Sequence, residues 1–189
     1  MADDDWQLDA SDGELLVHTG VTGRAAKMGH RLTIAMNAWR ATVAWTDGEP
    51  TDVALTVEVG SLHVRKGEGG LVPLSGPEKS LARSHALKAL DADRFPQIGF
   101  HAGDIEKTDD GYRLNGTLEI RGKRLPRVID LRVKGRDGAW QLSCRSDVCQ
   151  TEFGVKPYSM LMGSMKLVDA VTVSFAGELN GLSRPRMSF

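Results

Sequence analysis

The chain has 189 residues, with 24 Lys and Arg against 25 Asp and Glu, a formal net charge of −1. That balance argues against a basic nucleic-acid-binding face and against a solvating acidic tail. The length suits one domain over residues 1–189, and 21 glycines without a repeat exceed the average of roughly 7%, pointing to many turns and an all-β chain.

In chain order, the start Met1-Ala2-Asp3-Asp4-Asp5-Trp6 is acidic and is followed by no apolar run of the ~7–15 residues that a secretory signal needs. No stretch reaches the ~18 apolar residues of a spanning helix, so the sequence predicts a cytoplasmic protein with no membrane span. Leu15 to His18 reads as a first strand. Arg24, Lys27 and Arg31 then cluster in a solvated loop or an attractor of an anionic head group. Trp39, Ala41, Val43 and Trp45 alternate with polar or small residues, as do Val53, Leu55, Val57 and Val59, the period of half-buried strands. Arg65-Lys66-Gly67-Glu68-Gly69-Gly70 reads as a mobile loop. Pro77 to Ala92 breaks the alternation and predicts one helix, with Pro77 suited to its first position. Phe95-Pro96 restarts extended backbone. Strands follow at Ile98–Ala102, Leu114–Ile120, Ile129–Val133, Trp140–Val148 and Val171–Phe175, and the tail from Asn180 to Phe189 is expected to fray.

Turn signals at Asp47-Gly48, Asp109-Asp110-Gly111, Arg121-Gly122 and Arg136-Asp137-Gly138 separate these runs. Their residue types supply the positive backbone angles of hairpin turns. Eight or nine strands at this spacing predict a sandwich or a closed antiparallel barrel, with the helix over a mouth or edge.

Catalytic and metal signatures do not emerge. His18, His30, His63, His85 and His101 show no helix-metal spacing, the glycines at 67–70 lack the ending of a phosphate loop, and no Gly-x-Ser-x-Gly is present. The carboxylates at Asp91, Asp93, Asp109 and Asp110 fall in turns. The sequence therefore assigns no catalytic residue, no metal and no cofactor. Cys144 and Cys149 lie an odd distance apart and point to opposite faces of a continuous strand, whereas a hairpin at Arg145-Ser146-Asp147 would bring them together. They read as reduced structural thiols or, alternatively, a redox pair.

One ordered set of segments carries a resemblance. Gln150-Thr151-Glu152-Phe153-Gly154 leads through a loop to Lys166-Leu167-Val168-Asp169 and the strand Val171–Phe175. Trp6-Gln7-Leu8-Asp9 precedes it, with Phe95-Pro96-Gln97-Ile98-Gly99-Phe100, and with Tyr112 to Gly122 followed by Pro126. Together they resemble the YceI-like family of polyisoprenoid-binding or lipid-binding proteins, over about residues 6–179. Ser61-Leu62-His63-Val64, Ser84-His85-Ala86-Leu87 and Gly29-His30-Arg31-Leu32 depart from the usual pattern and look like a cytoplasmic branch.

The resemblance implies a lipocalin-like barrel of about eight strands whose pore takes an isoprenoid, quinone or fatty-acid-like amphiphile without catalysis. Candidate wall residues are Trp39, Phe100, Phe153, Tyr158 and Met162, with Met28, Met36 and Met160 as adaptable neighbours. His30 and Arg31 are candidates for contact with a head group. A barrel of this size is either packed solid or wide enough for one small ligand. The alternatives to a carrier are an enzyme using a buried His such as His30, and an interaction protein with a filled barrel that forms a homodimer through barrel edges.

Overall fold

The computed structural model describes residues 5–180. Its strands are β1 (Trp6–Asp9), β2 (Gly13–His18), β3 (Val21–Thr22), β4 (His30–Met36), β5 (Trp39–Thr46), β6 (Glu49–Glu58) and β7 (Leu62–Gly69). After helix α1 (Gly76–Ala89) come β8 (Gln97–Thr108), β9 (Gly111–Ile120), β10 (Lys123–Arg136), β11 (Ala139–Cys149), β12 (Ser159–Met160), β13 (Met165–Leu167) and β14 (Ala170–Asn180). Every ladder is antiparallel.

Three pairs of these strands are single strands bent once. β1 runs beside β5, with Trp6 opposite Val43, and β2 continues beside β4, with Leu16 opposite Ala35. In the same way β6 pairs with β5 while β7 pairs with β4, with Met36 opposite Leu62. Counting each bent strand once leaves eight: 6–18, 30–46, 49–69, β8, β9, β10, β11 and β14. Each pairs with its neighbour in sequence, and β14 returns to β2, with Phe175 opposite Leu15. The sheet thus curls into an up-and-down barrel, closed where β14 meets β2.

An up-and-down order sorts the connections by end. Asp47-Gly48, Asp109-Asp110 and Asp137-Gly138 close one end with two-residue turns. The turns at 47–48, 121–122 and 137–138 place both central residues at positive φ, as at Asp47 (53°) and Gly48 (80°), the geometry that matches the twist of a hairpin. The connections 19–29, 70–96 and 150–169 all fall at the opposite end, which they cover. The chain enters at Trp6 and leaves at Asn180, both on the end closed by tight turns.

Trp6 and Trp45 form the floor of that closed end, with ring centroids 4.4 Å apart. Beside them Tyr112 is almost completely buried and donates its hydroxyl proton to Glu49 Oε2 at 3.2 Å. Burial, and secondarily the Glu49 charge, pushes its phenol up to about 12.

Helix α1 begins where the sequence offers a cap. Ser75 Oγ accepts from Glu78 N at 3.4 Å, and Glu78 Oε2 accepts from Ser75 N at 2.7 Å, a capping box with Pro77 in the first turn. No residue of the helix is fully buried. It is tied to the barrel through Arg83, which donates to the carbonyls of Leu62 (2.8 Å) and Gly60 (2.7 Å), and through Lys79, which donates to Arg65 O at 2.8 Å. No helix among the described residues is long and apolar enough to cross a membrane.

Several expectations change here. Residues 65–69, read as a mobile loop, continue β7 and pair with His30–Thr33. Glycine suits them because a Cβ at Gly67 would sit 3.0 Å from His30 Cβ, and Gly69 has φ +85°. Residues 145–147 form no hairpin, since β11 runs unbroken opposite β14, and Cys144 and Cys149 are both free thiols. The helix spans 76–89 rather than 77–92. Of the expected frayed tail, Asn180 ends β14 and 181–189 lie outside the described residues.

Candidate ligand-binding pore

Alternation decides which side chains enter the barrel. On β4 the inward row is His30, Leu32, Ile34 and Met36; on β5 it is Trp39, Ala41, Val43 and Trp45; on β10 it is Arg127, Ile129, Leu131 and Val133. These rows do not meet along the axis. They surround a continuous cavity of about 660 Å³, running from the Trp6 and Trp45 floor to a rim of Met28, Leu81, Tyr158 and Met160. That volume lies within the range of small-molecule pockets, ~300–1,000 Å³. The barrel is therefore not packed solid.

The wall is carbon over most of its height. Trp39 stands edge-on to Phe175, with centroids 5.4 Å apart and planes at 89°. The indole nitrogens of Trp39 and Trp45 are buried without a hydrogen-bond partner among the described residues. A buried donor left unmatched costs ~1–3 kcal/mol.

Polar groups gather in the upper half. Cys144, Ser146 and Gln150 line one side. Burial raises the Cys144 thiol above its ordinary range, which keeps it protonated. Arg127 faces them from β10, donating through Nη1 to Asp147 O at 2.9 Å, with Nη2 3.6 Å from Glu152 Oε2 and Nε buried without a partner. It occupies this place because β10 and β11 are laddered only from Arg132–Ser143 to Arg136–Ala139, and above that they part.

Phe153 fills the parted seam. It is 2% exposed and packs with Val148 and Val155 against Leu118, Ile120, Leu125 and Leu90. The segment that carries the resemblance accounts for its placement. Phe153 ends a short 3-10 turn (Gln150–Phe153) capped by Gly154 at φ +70°, a left-handed conformation that favours glycine. Asp169 accepts from Thr151 N (2.8 Å) and Thr151 Oγ1 (2.5 Å), while Gln150 Nε2 donates to Val168 O at 3.1 Å. The Thr151 hydroxyl and amide hold the Asp169 carboxyl below its usual range. Gln150, Thr151 and Asp169 thus clamp the base of the 150–169 connection, and Phe153 seals the wall.

At the rim, His85 of α1 stacks on Tyr158 with centroids 4.5 Å apart. A small sheet of β12, β13 and β3 lies beside them. His30 lines the cavity, and its Nε2 is 2.8 Å from Val72 O. The cavity wall includes Met28, His30, Trp39, Phe100, Phe153, Tyr158 and Met160. Arg31 does not line it; alternation turns it to the outer face, where it is exposed. Met162 also lies off the wall and is fully exposed, at 105%. Arg127, Ser146 and Gln150 were not singled out as site residues by sequence reading. An arginine at the inward parity of an otherwise apolar strand is the signal that marks Arg127. Of the remaining histidines, His18 Nε2 lies 3.0 Å from Ser174 Oγ and His101 Nε2 lies 2.7 Å from Asp52 Oδ2, both outside the pore lining. No group of three metal-ligating side chains occurs among the described residues.

Comparison with curated protein sequences gave no match. Among solved structures, BcnA of Burkholderia cenocepacia is similar, with a TM-score of 0.67 and 16% identity over 92% of this chain and 99% of that one. The YCEI protein of Campylobacter jejuni is also similar, with a TM-score of 0.56 and 19% identity over 78% of this chain and 83% of that one. At such identities the likeness speaks for the barrel alone. The family model for the YceI-like domain, however, matches residues 6–179, the whole run from the floor tryptophan to the penultimate residue of β14. The chain belongs to the YceI-like domain family.

Proposed function

We propose that the protein binds one apolar, chain-like amphiphile lengthwise in the pore, without catalysis, for transport, storage or sequestration. An isoprenoid, a quinone or a fatty-acid-like chain fits this description. The observation that carries the reading is the carbon-walled cavity of about 660 Å³ reaching from the floor tryptophans to the rim. Each methylene transferred from water to such a wall contributes ~0.8 kcal/mol, so affinity grows with chain length until the floor is reached. Trp39, Phe100, Phe153, Met28 and Met160 form the wall in this reading, and Tyr158 places a hydroxyl near the mouth. Arg127, Ser146, Gln150 and His30 lie where a polar end group would rest. A cytoplasmic location accords with two free thiols on opposite faces of β11.

The test has two parts. The protein is purified from its native host, extracted with organic solvent and compared by mass spectrometry with an unrelated control. It is then titrated with alkyl and isoprenoid chains of increasing length, beside Ala41→Trp, which fills the cavity midway along β5. One co-purifying species near one per chain, and at least ~10-fold weaker binding by the variant, support the reading. An empty extract together with flat titrations overturns it.

A further inference from the structure

We propose that the rim end of the barrel docks on an anionic lipid bilayer, so that an apolar cargo passes between membrane and pore without crossing water. This rests on the pore reading above. An apolar chain resides in membranes, and a mouth pressed to the bilayer removes the cost of drawing each methylene through solvent.

The exposed apolar side chains are concentrated at this end. Met28, Tyr158, Met160, Leu161 and Met162 stand on and beside the small sheet of β3, β12 and β13, and Leu71, Val72 and Leu81 stand on the neighbouring 70–96 connection, which touches that side through Val72 with His30 and His85 with Tyr158. Large apolar side chains grouped around one opening mark an interaction surface. Met28, Leu81, Tyr158 and Met160 belong to the rim and to the cavity wall at once, so the exposed surface is continuous with the pore.

The tip of this surface is held outward against local preference. Leu161 and Met162 both adopt positive φ, 52° and 57°. That region is unfavourable for bulky side chains. The strained turn projects two apolar residues into solvent, and burial in an acyl layer is the compensation their chemistry fits.

Charge selects the partner. Residues 20–29 and 156–168 contain Arg24, Lys27, Lys156 and Lys166 and no carboxylate, although the whole chain carries a net −1. All four cations are exposed, and none has a carboxylate partner among the described residues. The nearby carboxylates lie outside these two segments, and Glu78 and Asp169, bonded to neutral donors, keep their charge. Glu68 pairs with Lys66 at 2.9 Å, Glu78 is held in the helix cap, and Asp169 in the Thr151 clamp. Cations interleaved with apolar residues on one surface match a bilayer with anionic head groups, where each cation near the surface adds to attraction and each apolar tip inserts.

The experiment is co-sedimentation of the full chain, free of cargo, with phosphatidylcholine vesicles and with vesicles mixed with phosphatidylglycerol. The expected result is binding to the mixed vesicles, lost at ~1 M salt, where the Debye length falls to about 3 Å. The double variant Lys27→Glu with Lys166→Glu is expected to lower partitioning at least ~10-fold. Leu161→Ser with Met162→Ser should lower it several-fold with only a small change in melting temperature, because Met162 is fully exposed and Leu161 is 47% exposed. Lys134→Glu, near the closed end, leaves binding unchanged. Ala41→Trp loses cargo and keeps vesicle binding, which separates failure of docking from failure of the pore reading. Equal binding to both vesicle types, no binding to either, or indifference to the Lys27 and Lys166 reversals overturns the proposal. So does a self-association that the Met162 variant abolishes while vesicles remain unbound, since the rim then joins two copies of the chain.

Discussion

Tyr112 shows how a single side chain reports on the closed end of the barrel. Its phenol is raised to about 12 against an ordinary 10, first by burial and then by Glu49. A raised value means that the folded state holds the proton more tightly than the unfolded chain. The associated stability is complete below pH 10 and is lost as pH climbs through 10 towards 12. We expect urea unfolding to reveal an alkaline loss on the order of 1–2 kcal/mol in this window, absent from Tyr112→Phe. Subtracting the two curves removes the other tyrosine and the lysines that titrate nearby. At this scale the sequence was partly legible. The parity of the alternating strands placed Trp39 and Phe100 on the wall. Parity also puts Arg31 outside, once β4 is known to begin at His30. Met162 escaped because a left-handed tip obeys no strand alternation.

The 150–169 connection is the element on which the upper wall depends. Because β10 and β11 part above Arg132, no backbone ladder closes that seam, and Phe153 does so instead. Phe153→Ala is expected to cost ~3–5 kcal/mol, the range for emptying a fully buried aromatic site, measured by chemical denaturation. The same motif that carried the family resemblance thus holds the 150–169 connection in place through Thr151 and Asp169, while Gln150 and Phe153 also line the cavity. The helix was readable from Pro77 and its run of Ala, Leu, Lys and Glu, and its true start became clear only through the reciprocal Ser75–Glu78 bonds. β4 and β7 were missed for a common reason. Gly67, Gly69 and Gly70 suggested a loop, whereas tertiary pairing with His30–Thr33 makes small residues necessary there, and Gly70 packs directly on the His30 ring.

For the molecule as a whole, the barrel ladder and the small rim sheet are separate hydrogen-bonded units. The eight-strand ladder does not include residues 156–168, which contribute only the small sheet and the rim. Replacing 157–165 by a Gly-Ser linker should leave the far-ultraviolet circular dichroism of the barrel intact and shift the melting temperature by only a few degrees, about 1 kcal/mol in a domain of this size. Loss of the barrel signal in that variant would show that the rim is part of the folding core. From alternation alone closure is legible only as one of two options, sandwich or barrel, and the family resemblance points to the barrel. Local alternation records which face of a strand is apolar, and says nothing of whether the eighth strand returns to the first. That outcome depends on the Phe175–Leu15 register, a pairing of residues far apart in the chain.

Because the path begins at Trp6 and ends at Asn180, both at the floor, whatever is joined to this domain hangs from the side opposite its mouth. A bead or fluorescent label coupled at residue 6 or residue 180 would sit on the face away from the rim and leave the mouth turned to solution.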